Sequence, residues 1–144
     1  MEELILEATE KFPEIQLKDG LISISGRSIP EDPKKEYKPV LQWVKDYVKN
    51  PPPSTEVRIK IEYSDTGSTK CIFDILKVLA VCRNTNHKIE MVFNWIYEKG
   101  DGEIVELGEF MENKLNVMFN YIQEWLFIDP VFSAGYVWLS SFHQ

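Results

Sequence analysis

The sequence predicts an α/β domain, a mixed β-sheet with helices packed against it. Three observations carry that expectation. Residues 14–25 (EIQLKDGLISIS) read as a hairpin, strands then alternate with amphipathic helices to about residue 122, and 144 residues are enough to bury one substantial core.

Leu4–Ile5–Leu6 is a short apolar stretch fit for a strand, and Pro13 breaks the chain before Ile15–Gln16–Leu17. Lys18–Asp19–Gly20 makes the hairpin turn. In the second arm Leu21, Ser23 and Ser25 alternate with Ile22, Ile24 and Gly26, the period-two pattern of a half-buried strand. The proline-marked SIPEDPKKEY leads into a helix over residues 35–49, with Tyr37, Val40, Leu41, Val44 and Val48 at helical spacing. Proline is tolerated only in a first turn, so Pro39 moves the start as late as Lys38. Pro51–Pro52–Pro53 stops the helix. VRIKIEY sets Val57, Ile59, Ile61 and Tyr63 against Arg58, Lys60 and Glu62, a strand. A second helix follows over residues 68–83, burying Ile72, Ile75, Leu76 and Leu79. HKIEMVFNWIY is the next strand, GDGE the turn into a third helix over 103–114, and VMFNYI the closing strand.

Composition narrows the function classes. A net charge of −7 argues against a nucleic-acid binder and against docking on anionic lipid, since both need clustered Lys and Arg. The longest basic run is Lys34–Lys35. Cys71 and Cys82 share one helix, which holds them roughly 16 Å apart at about 1.5 Å per residue, too far for a disulfide. With no basic, apolar leader in MEELILEATEKF, the expectation is a cytoplasmic protein with reduced thiols. From Glu124 the composition shifts: residues 124–144 hold six aromatics and no Lys or Arg, and Asp129–Pro130 rules out a membrane span. The expected organisation is therefore an α/β domain over 1–123 and an aromatic-rich extension over 124–144. That extension either packs on its own domain or forms a surface for a homo-oligomer or a partner.

Little supports an enzyme. His87 and His143 have no metal-ligand spacing, and Cys71 and Cys82 lack a CxxC or a nearby histidine. The GDG at 100–102 falls short of a phosphate loop, and Glu103, Glu106 and Glu109 read as a solvated helix face. No cofactor or metal site is expected. The rival readings are a metal-dependent enzyme using Glu106, Glu109 and Asp74, and a structural subunit that oligomerises through the aromatic tail.

IEYSDTGSTKCIFDIL carries the sharper signal, because it runs strand, hydroxyl-rich turn, helix. A helix N-terminus offers unpaired N–H groups and the positive dipole end, which favours negative charge by roughly 0.3–1 kcal/mol. Gly67 is expected to take positive φ there. Two readings stay open: Thr66 or Ser68 simply caps the helix, or the turn accepts a phosphate.

Together with GLISISGRSIPEDPKKEYKPVLQWVKDYV, that stretch resembles the SiaC family of bacterial regulatory phosphoproteins. The matching residues are Ile24, Gly26, Ser28, Pro30, Glu31, Tyr37, Pro39, Trp43, Tyr63, Lys70 and Asp74, followed by Glu106, Gly108 and Glu109 in ELGE, over about residues 4–122. The resemblance implies a SpoIIAA/STAS-like sandwich and a non-enzymatic partner-switching role. A Ser/Thr protein kinase would phosphorylate the turn and a metal-dependent Ser/Thr phosphatase would reverse it. The unphosphorylated form would bind and activate a diguanylate cyclase, raising cyclic-di-GMP with effects on biofilm. By position the acceptor maps onto Thr66, with Ser68 second and Thr69 third, and Glu31, Tyr63, Asp65, Gly67 and Lys70 would form the partner-binding surface. The family's N-T/S-S-S stands here as Asp65–Thr66–Gly67–Ser68, which sets a carboxylate beside the acceptor.

Overall fold

A computed structural model of the chain describes residues 1–124. The elements follow the expected order: β1 (Leu4–Leu6), β2 (Glu14–Lys18), β3 (Leu21–Ser28), α1 (Pro33–Tyr47), β4 (Ser54–Ser64), α2 (Thr66–Thr85), β5 (Glu90–Glu98), α3 (Gly102–Leu115) and β6 (Phe119–Glu124). Among the described residues all six strands form one sheet in chain order. β1 to β3 pair antiparallel, the hairpin closing at Lys18 opposite Leu21 with Gly20 at φ 88°. β3 to β6 pair parallel through the three helical crossovers.

Every crossover steps the same way along the sheet. Right-handed crossovers taken in one direction place their helices on one face, and α1 packs on α2 and α2 on α3. The result is two layers. The helix-facing side of the sheet carries Ile15, Leu17, Ile22, Ile24, Val57, Ile59, Phe93 and Trp95, all buried. The opposite side is polar: Asn94 donates to Glu56 at 2.8 Å, Asn120 donates to Asn94 at 3.1 Å, and Lys60 pairs with Glu124 at 2.7 Å. One face packs and the other hydrates, which explains the clean alternation of VRIKIE.

α1 begins earlier than its periodicity suggested. Asp32 accepts the Lys35 N–H at 3.2 Å and Pro33 occupies the first turn, so the cap fixes the start at Pro33 and not at residues 35–38. Pro39 then lies inside the helix, where it removes the N–H that would reach the Lys35 carbonyl. Pro39 and Lys35 are exposed, so water can satisfy that carbonyl. α2 runs from Thr66 to Thr85, longer at both ends than expected, and both cysteines are free. Among the described residues no helix is long and apolar enough to cross a membrane. Glu124 ends β6, and the rest of the aromatic extension lies outside the described residues.

α3 is seated by two local devices. Trp95 donates its indole N–H to the Ile104 carbonyl at 2.9 Å and stacks on Phe119 at 5.5 Å. Gly108 makes this approach possible, since a Cβ there would stand 2.7 Å from Trp95 Nε1. Glu112 joins α3 to β6 by accepting the Phe119 N–H at 2.6 Å and the Tyr121 hydroxyl at 2.7 Å. The glycine of ELGE thus serves packing. Gly108→Ala should lower unfolding free energy by about 1–3 kcal/mol through overpacking. Urea denaturation checks this, and an unchanged midpoint would contradict it.

Candidate functional site

The turn after β4 is shaped by a break in sheet register. Gly26 lies opposite Ile61, but Arg27 lies opposite Tyr63, so Glu62 has no partner on β3. An extra residue in one strand reverses the faces that follow it. Tyr63, on the core parity of Val57, Ile59 and Ile61 by spacing, is accordingly 54% exposed. Beyond the break Ser28 faces Ser64, and the Asp65 N–H donates to the Ser28 carbonyl at 3.0 Å. The strand therefore passes into α2 with a single residue between them.

Four hydroxyls cluster there, and three are engaged. The cap is Asp65, not Thr66 or Ser68: its extended backbone lets the carboxylate accept the Ser68 N–H at 2.8 Å, while Thr66 and Ser68 are already helical. Ser68 is fully buried, and its Oγ accepts from Ser28 Oγ at 2.7 Å. Ser28 Oγ also meets Tyr37 Oη at 2.7 Å. A hydroxyl has one hydrogen, so Tyr37 donates to Ser28 and Ser28 to Ser68. Burial pushes the Tyr37 phenol well up, which keeps it a donor throughout the physiological range. Thr69 donates to the Asp65 carbonyl at 2.9 Å and shares a 2.6 Å bond with Ser64. Thr66 is exposed, and its side chain makes no hydrogen bond among the described residues.

Gly67 is helical, not at positive φ; the positive-φ glycines among the described residues are Gly20, Gly26 and Gly100. Its role is close approach, because a Cβ would stand 2.9 Å from Pro33 Cγ at the start of α1. Lys70, one turn on from Thr66, pairs with Asp74 at 2.8 Å. Glu31 is exposed and precedes Asp32, the cap of α1. The acidic trio does not assemble: Glu106 and Glu109 are exposed on α3, Asp74 is tied to Lys70, and among the described residues no three His, Cys, Asp or Glu side chains converge on a metal position.

Between α1 and α2 lies a groove of about 710 Å³ that starts where Pro33 meets Gly67 and reaches Lys45 and Asp74. Leu41 and Cys71 line it together with Lys34, Lys38, Lys45 and Lys70. Burial pushes the Cys71 thiol up, and Asp74 adds to this, so it stays protonated at neutral pH. This lysine cluster is absent from any run of the sequence. The spacing of Lys34, Lys38 and Lys45, four and then seven residues apart, was the available signal, since it sets one helix face.

The buried hydroxyl chain makes a stability prediction. Ser68→Ala leaves one buried O–H without an acceptor and should cost about 1–3 kcal/mol. Chemical denaturation reads this directly; a loss below a few tenths would show that the chain of bonds holds nothing in place.

Comparison with known proteins agrees with this architecture. The SiaC family regulatory phosphoprotein pattern matches residues 6–124. An uncharacterised protein of Pseudomonas aeruginosa (strain UCBPP-PA14) is 26% identical over 111 residues, covering 76% of this chain and 86% of its own length. SiaC of Pseudomonas aeruginosa superposes with a TM-score of 0.73 at 24% identity, over 87% of this chain and 99% of that one. SiaC in complex with the diguanylate cyclase SiaD, of which it is the activator, superposes at 0.75 and 24% identity, over 83% and 98%. With a single mixed sheet, a hydroxyl-rich strand–helix turn and a family match across nearly all the described residues, the protein belongs to the SiaC family of regulatory phosphoproteins.

Proposed function

We propose that the protein is a non-enzymatic, cytoplasmic partner switch whose phosphate acceptor is Thr66 and whose unphosphorylated form binds and activates a diguanylate cyclase. One observation carries the acceptor assignment: of Ser64, Thr66, Ser68 and Thr69, only Thr66 combines exposure with a hydroxyl that nothing engages. A kinase must surround the hydroxyl it modifies, and Ser68, at 0% exposure, offers no access. The SiaC–SiaD complex of Pseudomonas aeruginosa supports the partner class. A Ser/Thr kinase and a metal-dependent Ser/Thr phosphatase would set the phosphorylation state.

The energetics favour control by enzymes over spontaneous anion binding. At the start of α2 the dipole favours negative charge by roughly 0.3–1 kcal/mol. Against it, the neighbouring Asp65 carboxylate repels by about 1 kcal/mol for unit charges some 4 Å apart in water. The two nearly cancel, so the turn has little affinity for free phosphate and still tolerates a covalent one. A phosphoryl group then brings about −1.5 to −2 charges to an exposed surface that includes Tyr63 and Lys70. The switch works by changing that surface, with the fold unchanged.

Phosphopeptide mass spectrometry of the protein from its host should find phosphate on Thr66 and none on Ser68. Phosphate confined to Ser68 or Thr69 would overturn the acceptor assignment. Thr66→Asp should weaken binding to a diguanylate cyclase of the same genome at least about tenfold, or roughly 1.4 kcal/mol. Unchanged affinity in calorimetry would count against the switch itself.

A further inference from the structure

The groove between α1 and α2 holds an excess of positive charge in a chain whose net charge is −7. Four lysines line it against two aspartates. The aspartates are committed: Asp32 caps α1 and Asp74 pairs with Lys70. Lys34, Lys38 and Lys45 have no ion-pair partner among the described residues.

Shape adds to charge. Along α1 the groove extends from Pro33 to Lys45, which at about 1.5 Å per residue is a length of roughly 18 Å, or three helical turns. Between the lysines lie apolar groups, Pro33, Leu41 and Cys71. An elongated apolar channel with cationic borders fits an amphipathic helix bearing one apolar stripe flanked by carboxylates. A compact ligand would leave most of that length empty. The chain's own residues 125–144 contain a single carboxylate, Asp129, and do not supply the complementary charge.

From this we infer that the α1–α2 groove is the docking site for an acidic amphipathic helix of a partner protein, and that phosphate on Thr66 closes the site electrostatically. The second half of that statement rests on Thr66 being the acceptor. Gly67 lines the groove mouth, and Thr66 lies one helical turn from Lys70, another lining residue. The excess of two positive charges in the groove is about the charge that one phosphoryl group adds with opposite sign. Phosphorylation therefore removes the electrostatic attraction without touching the apolar channel. Such screening acts on affinity and on association rate, and salt should imitate it.

The test uses the full chain and two designed peptides of about 14 residues with the same leucine stripe, one flanked by glutamates and the other by lysines. Fluorescence anisotropy should show the glutamate peptide binding at least about tenfold more tightly, with the preference shrinking as salt rises from about 50 to 300 mM. The double variant Lys38→Glu/Lys45→Glu alters exposed side chains only and should abolish or reverse the preference. Thr66→Glu should reduce it. Absence of binding, equal binding of both peptides, or indifference to the double variant would overturn the inference. Concentration-dependent dimerisation that the double variant abolishes, seen by sedimentation, would assign the groove to a second copy and also overturn it. If Thr66→Asp blocks the cyclase while Lys38→Glu/Lys45→Glu does not, the switch stands and the groove falls.

Discussion

The junction of β4 with α2 depends on one buried chain of hydroxyls running from Tyr37 on α1 through Ser28 on β3 to Ser68 on α2. It ties three elements together directly beneath the exposed turn. Each member is almost wholly shielded from water, so each bond made is one whose loss would strand a polar group in the core. The Asp65 carboxylate on the Ser68 N–H and the Asp65 N–H on the Ser28 carbonyl lock the same junction through the backbone. Thr66 is accessible because its neighbours are occupied in holding the turn.

That division of labour makes the site suitable for a charge switch. A modified residue that also held the helix start would exchange signalling for stability each time it was phosphorylated. Here the cap is supplied by Asp65 and the anchor by Ser68, so neither support rests on the Thr66 side chain. Gly67 brings the starts of α1 and α2 into contact at Pro33, which puts Thr66 next to a residue lining the groove the two helices form. The polar outer face of the sheet takes no part in this arrangement; its Glu56–Asn94–Asn120 ladder and Lys60–Glu124 pair satisfy one another.

The fold was largely legible in the sequence because it rests on local patterns. Period-two alternation located β2 to β4, helical spacing located α1 and α2, and strands alternating with helices implied the parallel half of the sheet. What escaped depends on distant partners. Spacing alone put Tyr63 with the core, but register is a property of two strands, and the break opposite Gly26 and Arg27 turned it outward. Asp65, Thr66 and Ser68 are all good capping residues, and choosing among them requires knowing that Ser68 meets Ser28, forty positions away. Gly67 read as a positive-φ turn residue and proved to be helical, placed by a contact with Pro33. Three of the groove lysines share one face of α1 and were legible as spacing; that Lys70 joins them from α2 was not. The proposed acceptor, Thr66, was singled out in the sequence only through family likeness, and what separates it from Ser68 physically is burial and hydrogen bonding.

The central claim is that phosphate at Thr66 changes the charge of a rigid surface. The most direct measurement is amide hydrogen exchange, comparing the phosphorylated and unphosphorylated chain residue by residue. The account predicts unchanged protection at Ser68 and Thr69, whose N–H groups bond to Asp65, and in the helical turns that follow. A marked loss of protection across the start of α2 would contradict it, and would mean that phosphorylation acts by melting the helix start.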